Sequence, residues 1–151
     1  MTSARPILLC FDGSDHARRA VREAAELLGP RPAVVLSVWE RARDLSSLDP
    51  LGDAVGRLTA IYAQLDDAGL DVARRQAEEG VRLATELNFE ARPRVECGPV
   101  WQTIVRVADE EDAAAIALGA RGRSGPGAML GSVSARVARH AHRPVLVLPP
   151  D

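Results

Sequence analysis

Between Leu118 and Ser134 the chain reads LGARGRSGPGAMLGSVS, with five glycines, a proline and two arginines between an apolar run and a helical pattern. A turn of this kind can bring backbone N–H groups close to an anion, because glycine takes φ > 0 without strain. The helix that starts at Gly131-Ser132 adds unpaired N–H groups and a positive dipole end. Phosphate suits that arrangement, with the Ser132 and Ser134 hydroxyls as further contacts, and no lysine is required. None is available, since all 19 basic residues are arginine. A Walker-type lysine loop and Schiff-base chemistry are therefore excluded. Arg121 and Arg123 either assist the anion or point into solvent. The competing reading is a flexible glycine-rich connection with an ordinary serine cap.

The other reactive residue types give weaker patterns. Asp12 closes the first apolar run in FDGSD, where it is either a ligand group or an Asx turn before a helix. The dinucleotide fingerprint G-x-G-x-x-G is missing from that position, which reads FDGSDHA. Cys10 and Cys97 fall on strands one and three; in the order 3-2-1-4-5 that a doubly wound α/β fold usually takes, strand two separates them and they lie roughly 9–10 Å apart, beyond disulfide reach. Both read as small buried hydrophobes. His140 and His142 point to different helix faces, so a cation near a helix C-terminus is a simpler account than a metal site. The run Asp109-Glu110-Glu111-Asp112 reads as solvated charge, away from the ligand end.

Short apolar runs and helical patterns must position these groups. The strands are read at Pro6–Phe11, Ala33–Trp39, Arg92–Gly98 (the weakest), Ala113–Gly119 and Arg143–Pro150. A helix capped by Ser14 follows the first and stops at Gly29-Pro30. Leu58 to Ala84 is a long helical region with a kink or break at Gly69. Pro99 opens the next helix, and Ser132–His142 is the last. Strict alternation of strand and helix predicts an α/β fold, a five-stranded parallel sheet with helices on both faces. Ligands in such sheets bind beyond the carboxyl ends of the strands, where strand order reverses. Asp12, Val38 and Gly119 lie at such ends.

The 151 residues fit one domain, 46% hydrophobic but only 3% aromatic, so the core must be aliphatic. A net charge of −2 argues against general nucleic-acid or membrane-surface binding. No apolar run approaches the ~20 residues that cross a bilayer, and the first residues do not read as a signal peptide. The expectation is a cytoplasmic protein, and two cysteines agree with a reducing compartment.

Taken together these segments resemble the universal stress proteins. Gly119-Ala120-Arg121-Gly122 matches the first half of the family's glycine motif and Gly131-Ser132 the second. ILLCFDGSDHARRA looks like the family's first strand and turn, VVLSVWE like its second strand, and GSVSARVARHAHRPVLVLPP like its closing helix and strand. One departure is the spacer RSGPGAML, one residue shorter than the family's and containing Pro126. The resemblance implies a Rossmann-like sheet of the adenine nucleotide alpha hydrolase type, ordered 3-2-1-4-5. It also implies ATP as ligand, with or without Mg. By position, Asp12 would meet the adenine or ribose end, while Cys10 and Val38 would lie against the base. Leu118 and Gly119 would approach the ribose. Arg121, Gly122, Gly131, Ser132, Val133 and Ser134 would complete the phosphate end. The family habit of pairing its last strand implies a homodimer through Arg143–Leu148, unless Pro144, Pro149 and Pro150 blunt that edge. The expected role is a nucleotide-dependent stress sensor, with three alternatives: slow ATP hydrolysis, binding of AMP or cyclic AMP, or a nucleotide-free role through protein contacts.

Overall fold

Five parallel strands form one sheet in the order β3-β2-β1-β4-β5 in a computed structural model that describes residues 4–42, 55–120 and 130–149. They are β1 (Ile7–Cys10), β2 (Pro32–Trp39), β3 (Glu90–Cys97), β4 (Ala115–Gly119) and β5 (Val145–Leu148). Among the described residues the crossovers are α1 (Asp15–Leu28), α2 (Val55–Glu86), α3 (Val100–Glu110) and α4 (Ser132–His140). The chain thus winds outward one way through α1 and α2, then returns past β1 and winds the other way through α3 and α4. The reversal leaves a crevice between the carboxyl ends of β1 and β4.

Each sheet face buries its own aliphatic layer. Leu9 and Val35 face α1 and α2, while Leu8, Leu36 and Ile116 face α3 and α4. Helix α1 turns Ala17, Ala20, Val21 and Ala24 inward, small side chains that let its backbone sit close to the sheet. Its start is fixed by Ser14, whose Oγ accepts from the Ala17 N–H at 3.1 Å. Helix α2 comes closer still at Gly80. A Cβ there would stand 2.6 Å from Val35 Cγ1 and 3.0 Å from the Phe11 ring.

Two expectations from sequence are corrected. Gly69 does not break α2, which runs from Val55 to Glu86 without interruption. The residue lies against the Trp39 ring, where an added Cβ would be 3.4 Å from Cε3. Packing onto the sheet outweighs the roughly 1 kcal/mol that an interior glycine costs a helix. The acidic run at the end of α3 is not simply solvated. Glu111 and Glu110 pair with Arg94, and Glu111 also pairs with Arg92. Arg106 joins Glu110 at 2.7 Å to Glu96 at 3.1 Å. On the opposite flank Arg143 reaches Asp109 at 3.1 Å and Asp112 at 2.6 Å, and Arg5 reaches Asp112 at 3.2 Å. The weak apolar signal of β3 has the same origin, since its alternate residues Arg92, Arg94 and Glu96 are committed to ion pairs.

The network makes stability pH-dependent in a definite direction. Burial pushes the Glu111 carboxyl up, but its bonds from Arg92 and Arg94 outweigh this and hold it below its ordinary value. Glu110 is lowered by Arg106 and then Arg94, and Asp112 chiefly by Arg143. Groups lowered on folding stabilise the native state above their unfolded pKa, about 4, and lose that contribution as pH falls through the folded value. The urea midpoint is therefore expected to hold from pH 7 to about 5 and to fall steadily below about 4. A midpoint unchanged at pH 3 would count against the network.

No described helix is long and apolar enough to cross a membrane.

Candidate functional site

The crevice holds a cavity of about 340 Å³, within the roughly 300–1,000 Å³ of small-molecule sites. One side is apolar, made by Leu36 and Val38 of β2, Val100 and Ile104 of α3, Leu118 of β4 and Val133 of α4. The other side carries Asp12 and, from α2, Gln76. The start of α4 closes it with Gly131, Ser132 and Ser134.

The strand ends explain why these residues meet. Phe11 N–H still donates to Leu36 O at 2.9 Å, so β1 stays in register up to the turn. Ser37 Oγ donates to Phe11 O at 2.7 Å, which ties the Phe11 carbonyl to β2 as well. The chain then turns at Asp12-Gly13-Ser14. Gly13 has φ 75°, which glycine adopts at little cost. Asp12 Oδ1 accepts from the Ser14 N–H at 3.0 Å, an Asx turn in a residue that also lines the cavity. The two readings of Asp12 are therefore compatible, because one oxygen makes the turn and Oδ2 remains an acceptor.

The start of α4 is clipped to the end of β4. Gly131 N–H donates to Ala120 O at 2.6 Å, and Ser134 Oγ donates to the same carbonyl at 2.8 Å. Ser134 is 2% exposed, so its hydroxyl proton is directed inward rather than toward a ligand. The first helical bond of the turn is Ala135 N–H to Gly131 O at 3.0 Å. The amides of Ser132, Val133 and Ser134 precede it, and with the Ser132 hydroxyl they are the donors this end offers an anion. Gly131 supplies the clip and the extended entry, at φ −61° and ψ 156°.

Cys10 also lines the cavity, with its thiol pushed up to about 12, by burial first and then by the nearby Asp12 charge. It is a protonated, apolar wall atom and a poor nucleophile. Cys10 and Cys97 are both free thiols, on strands separated by β2.

All the candidate residues within the described part of the chain come together here: Cys10, Asp12, Val38, Leu118, Gly119 and the four from Gly131 to Ser134. Arg121 and Gly122 lie outside the described residues. Sequence reasoning missed Phe11, Ala17, Leu36, Gln76, Val100 and Ile104. The last two sit one helical turn apart on α3's apolar face and look like core.

The histidines have other partners. His140 stacks on Trp101 with ring centroids 4.7 Å apart, and His142 Nδ1 lies 2.9 Å from Asp109 Oδ2. Among the described residues no cluster of His, Cys, Asp and Glu could hold a metal ion.

Comparison with known proteins agrees with this architecture. A family model described as the universal stress protein family matches residues 3–149. The chain is 32% identical over 154 aligned positions to universal stress protein Rv1636 of Mycobacterium tuberculosis, covering 98% of each. Universal stress protein UspA of Lactobacillus plantarum superposes with TM-score 0.77 at 22% identity, over 98% of this chain and 99% of that one. The universal stress protein of Archaeoglobus fulgidus, solved in complex with dAMP, gives TM-score 0.69 at 24% identity, over 97% and 98%.

Proposed function

Because the chain belongs to the universal stress protein family, we propose that its cavity binds an adenine nucleotide, with ATP the leading ligand. One observation carries this reading: an apolar slot and three free amides at a helix start share one cavity at the sheet's switch point. The base fits the slot between Val38, Leu118 and the α3 side chains Val100 and Ile104. Asp12 is acceptor-only when ionised, so it suits the sugar hydroxyls and repels phosphate. The phosphates belong at the opposite end, on the amides of Ser132, Val133 and Ser134, where negative charge meets the helix dipole. Arg121 and Gly122 are assigned to the same end.

We assign no catalytic role to these residues. Among the described residues Asp12 is the one ionisable carboxylate lining the cavity, and its proposed place beside the sugar puts it away from a terminal phosphate. The protein is proposed to act as a single-domain regulator whose surface and stability respond to nucleotide loading. Among the described residues β5 pairs with β4 alone, and its other edge is the proposed homodimer contact.

Native mass spectrometry of protein purified without added nucleotide tests the ligand. The expected result is a bound mass equal to ATP, together with a raised Tm when ATP and Mg are added. Ligand at a hundred times its Kd adds about 2.7 kcal/mol of stability. A bound mass of AMP or cyclic AMP would reassign the phosphate end. Repeated absence of any nucleotide, with no thermal shift on adding all three, would overturn the reading.

A further inference from the structure

We infer that Gln76 is a specificity-determining residue that reads a sugar hydroxyl of the bound nucleotide together with Asp12. The inference rests on the nucleotide reading above and adds a residue from α2, a helix with no other side chain lining the cavity. Gln76 sits over the turn that carries Asp12. A Cβ on Gly13 would lie 3.1 Å from Gln76 Cγ and 3.3 Å from its Nε2. Gly13 therefore makes the space in which the glutamine lies. Its neighbours Ala73 and Ala77 are buried against the sheet, at 1% and 0% exposure, so the helix holds its position firmly.

Among the described residues the Gln76 carboxamide has no hydrogen-bond partner. A half-buried amide beside a cavity, with both a donor and an acceptor free, matches a group that both gives and takes a hydrogen bond. A sugar hydroxyl is such a group. It donates to Asp12 Oδ2, the oxygen not used by the Ser14 N–H, and accepts from the Gln76 amide. Phosphate fits this corner poorly, because the Asp12 carboxylate repels it. The base fits poorly as well, since the apolar slot lies on the other face of the sheet, against α3 and α4. The sugar is the part of a nucleotide that lies between them.

Isothermal titration of the full chain with ATP, 2′-deoxy-ATP and 3′-deoxy-ATP tests this, in the wild type and in Gln76→Met. Methionine keeps the length of the side chain and its helix propensity while removing the amide. The wild type is expected to bind ATP at least about tenfold more tightly than one of the two analogues, because the missing hydroxyl loses both its bond to the Asp12 carboxylate and the one from Gln76. Gln76→Met, which removes only the neutral bond, should lower ATP affinity about fivefold to tenfold and leave the same analogue within about twofold. Equal losses on all three ligands would overturn the assignment, as would a wild type that does not distinguish them. If Gln76→Met does not fold, Gln76→Leu, which also removes the amide, takes its place in the same comparison. A wild type that binds none of the three removes the nucleotide reading itself, and this inference with it.

Discussion

Gly80→Leu is expected to cost the fold about 3 kcal/mol, the upper end of what overpacked cores show. The added Cβ alone would stand 2.6 Å from Val35 Cγ1 and 3.0 Å from the Phe11 ring. Neither neighbour can step aside, because Val35 is 0% and Phe11 3% exposed, both buried in the layer between the sheet and its helices. Against a typical stability of about 5–15 kcal/mol the loss is large, and the urea midpoint should register it directly. Alanine is the sharper test. Helix propensity favours Gly80→Ala by about 1 kcal/mol, whereas the overlap opposes it by about 1–3 kcal/mol. A net loss is expected, partly recovered when Val35→Ala is added, since the second change removes the obstructing methyl groups. If Gly80→Ala stabilised the protein, the close approach of α2 to β2 would not be as described.

Ser132→Pro should separate ligand binding from folding. Proline is favoured at the first position of a helix, where no intrahelical N–H bond is lost. It also demands an extended residue before it, and Gly131 already has φ −61° and ψ 156°. The helix should form as before, with the urea midpoint nearly unchanged. The phosphate end, however, loses one amide and one hydroxyl at once. Hydrogen bonds to charged groups contribute about 1.5–3 kcal/mol each, so ATP affinity is expected to fall at least about tenfold. A ligand that carries no phosphate, such as adenosine, should be affected far less. Undiminished ATP binding in a folded Ser132→Pro protein would place the phosphates elsewhere.

The parts of the site legible in the sequence lie where one kind of pattern gives way to another. Asp12 follows the run ILLCF and precedes a capped helix, and Gly131-Ser132 opens a helix after a glycine-rich turn. Such junctions are punctuated by glycine, serine and aspartate, so they show without any knowledge of packing. The strand order is not written in any local pattern. It comes from the family resemblance, and the sheet agrees with it. Gln76 is different, because nothing separates it in sequence from Arg75 or Glu78 on the same helix. Only the path of α2 over the β1 turn brings it to Asp12. Val100 and Ile104 are hidden in the opposite way, as apolar residues among apolar residues. The helix expected to break at Gly69 stays whole for a related reason. A residue's intrinsic preference counts for less than a long face packed on a sheet.

The charge pairs around α3 act on its rotation about its own axis. Glu110 and Glu111 are tied to β3, one outer strand of the sheet, while Asp109 is tied to Arg143 at the approach to the other. Turning the helix either way stretches one set of ties, so its azimuth is fixed from both sides at its carboxyl end. The other end of the same rod presents Val100 and Ile104 to the cavity. A surface cluster at one end of α3 thereby helps to orient the apolar wall that its other end offers to the cavity.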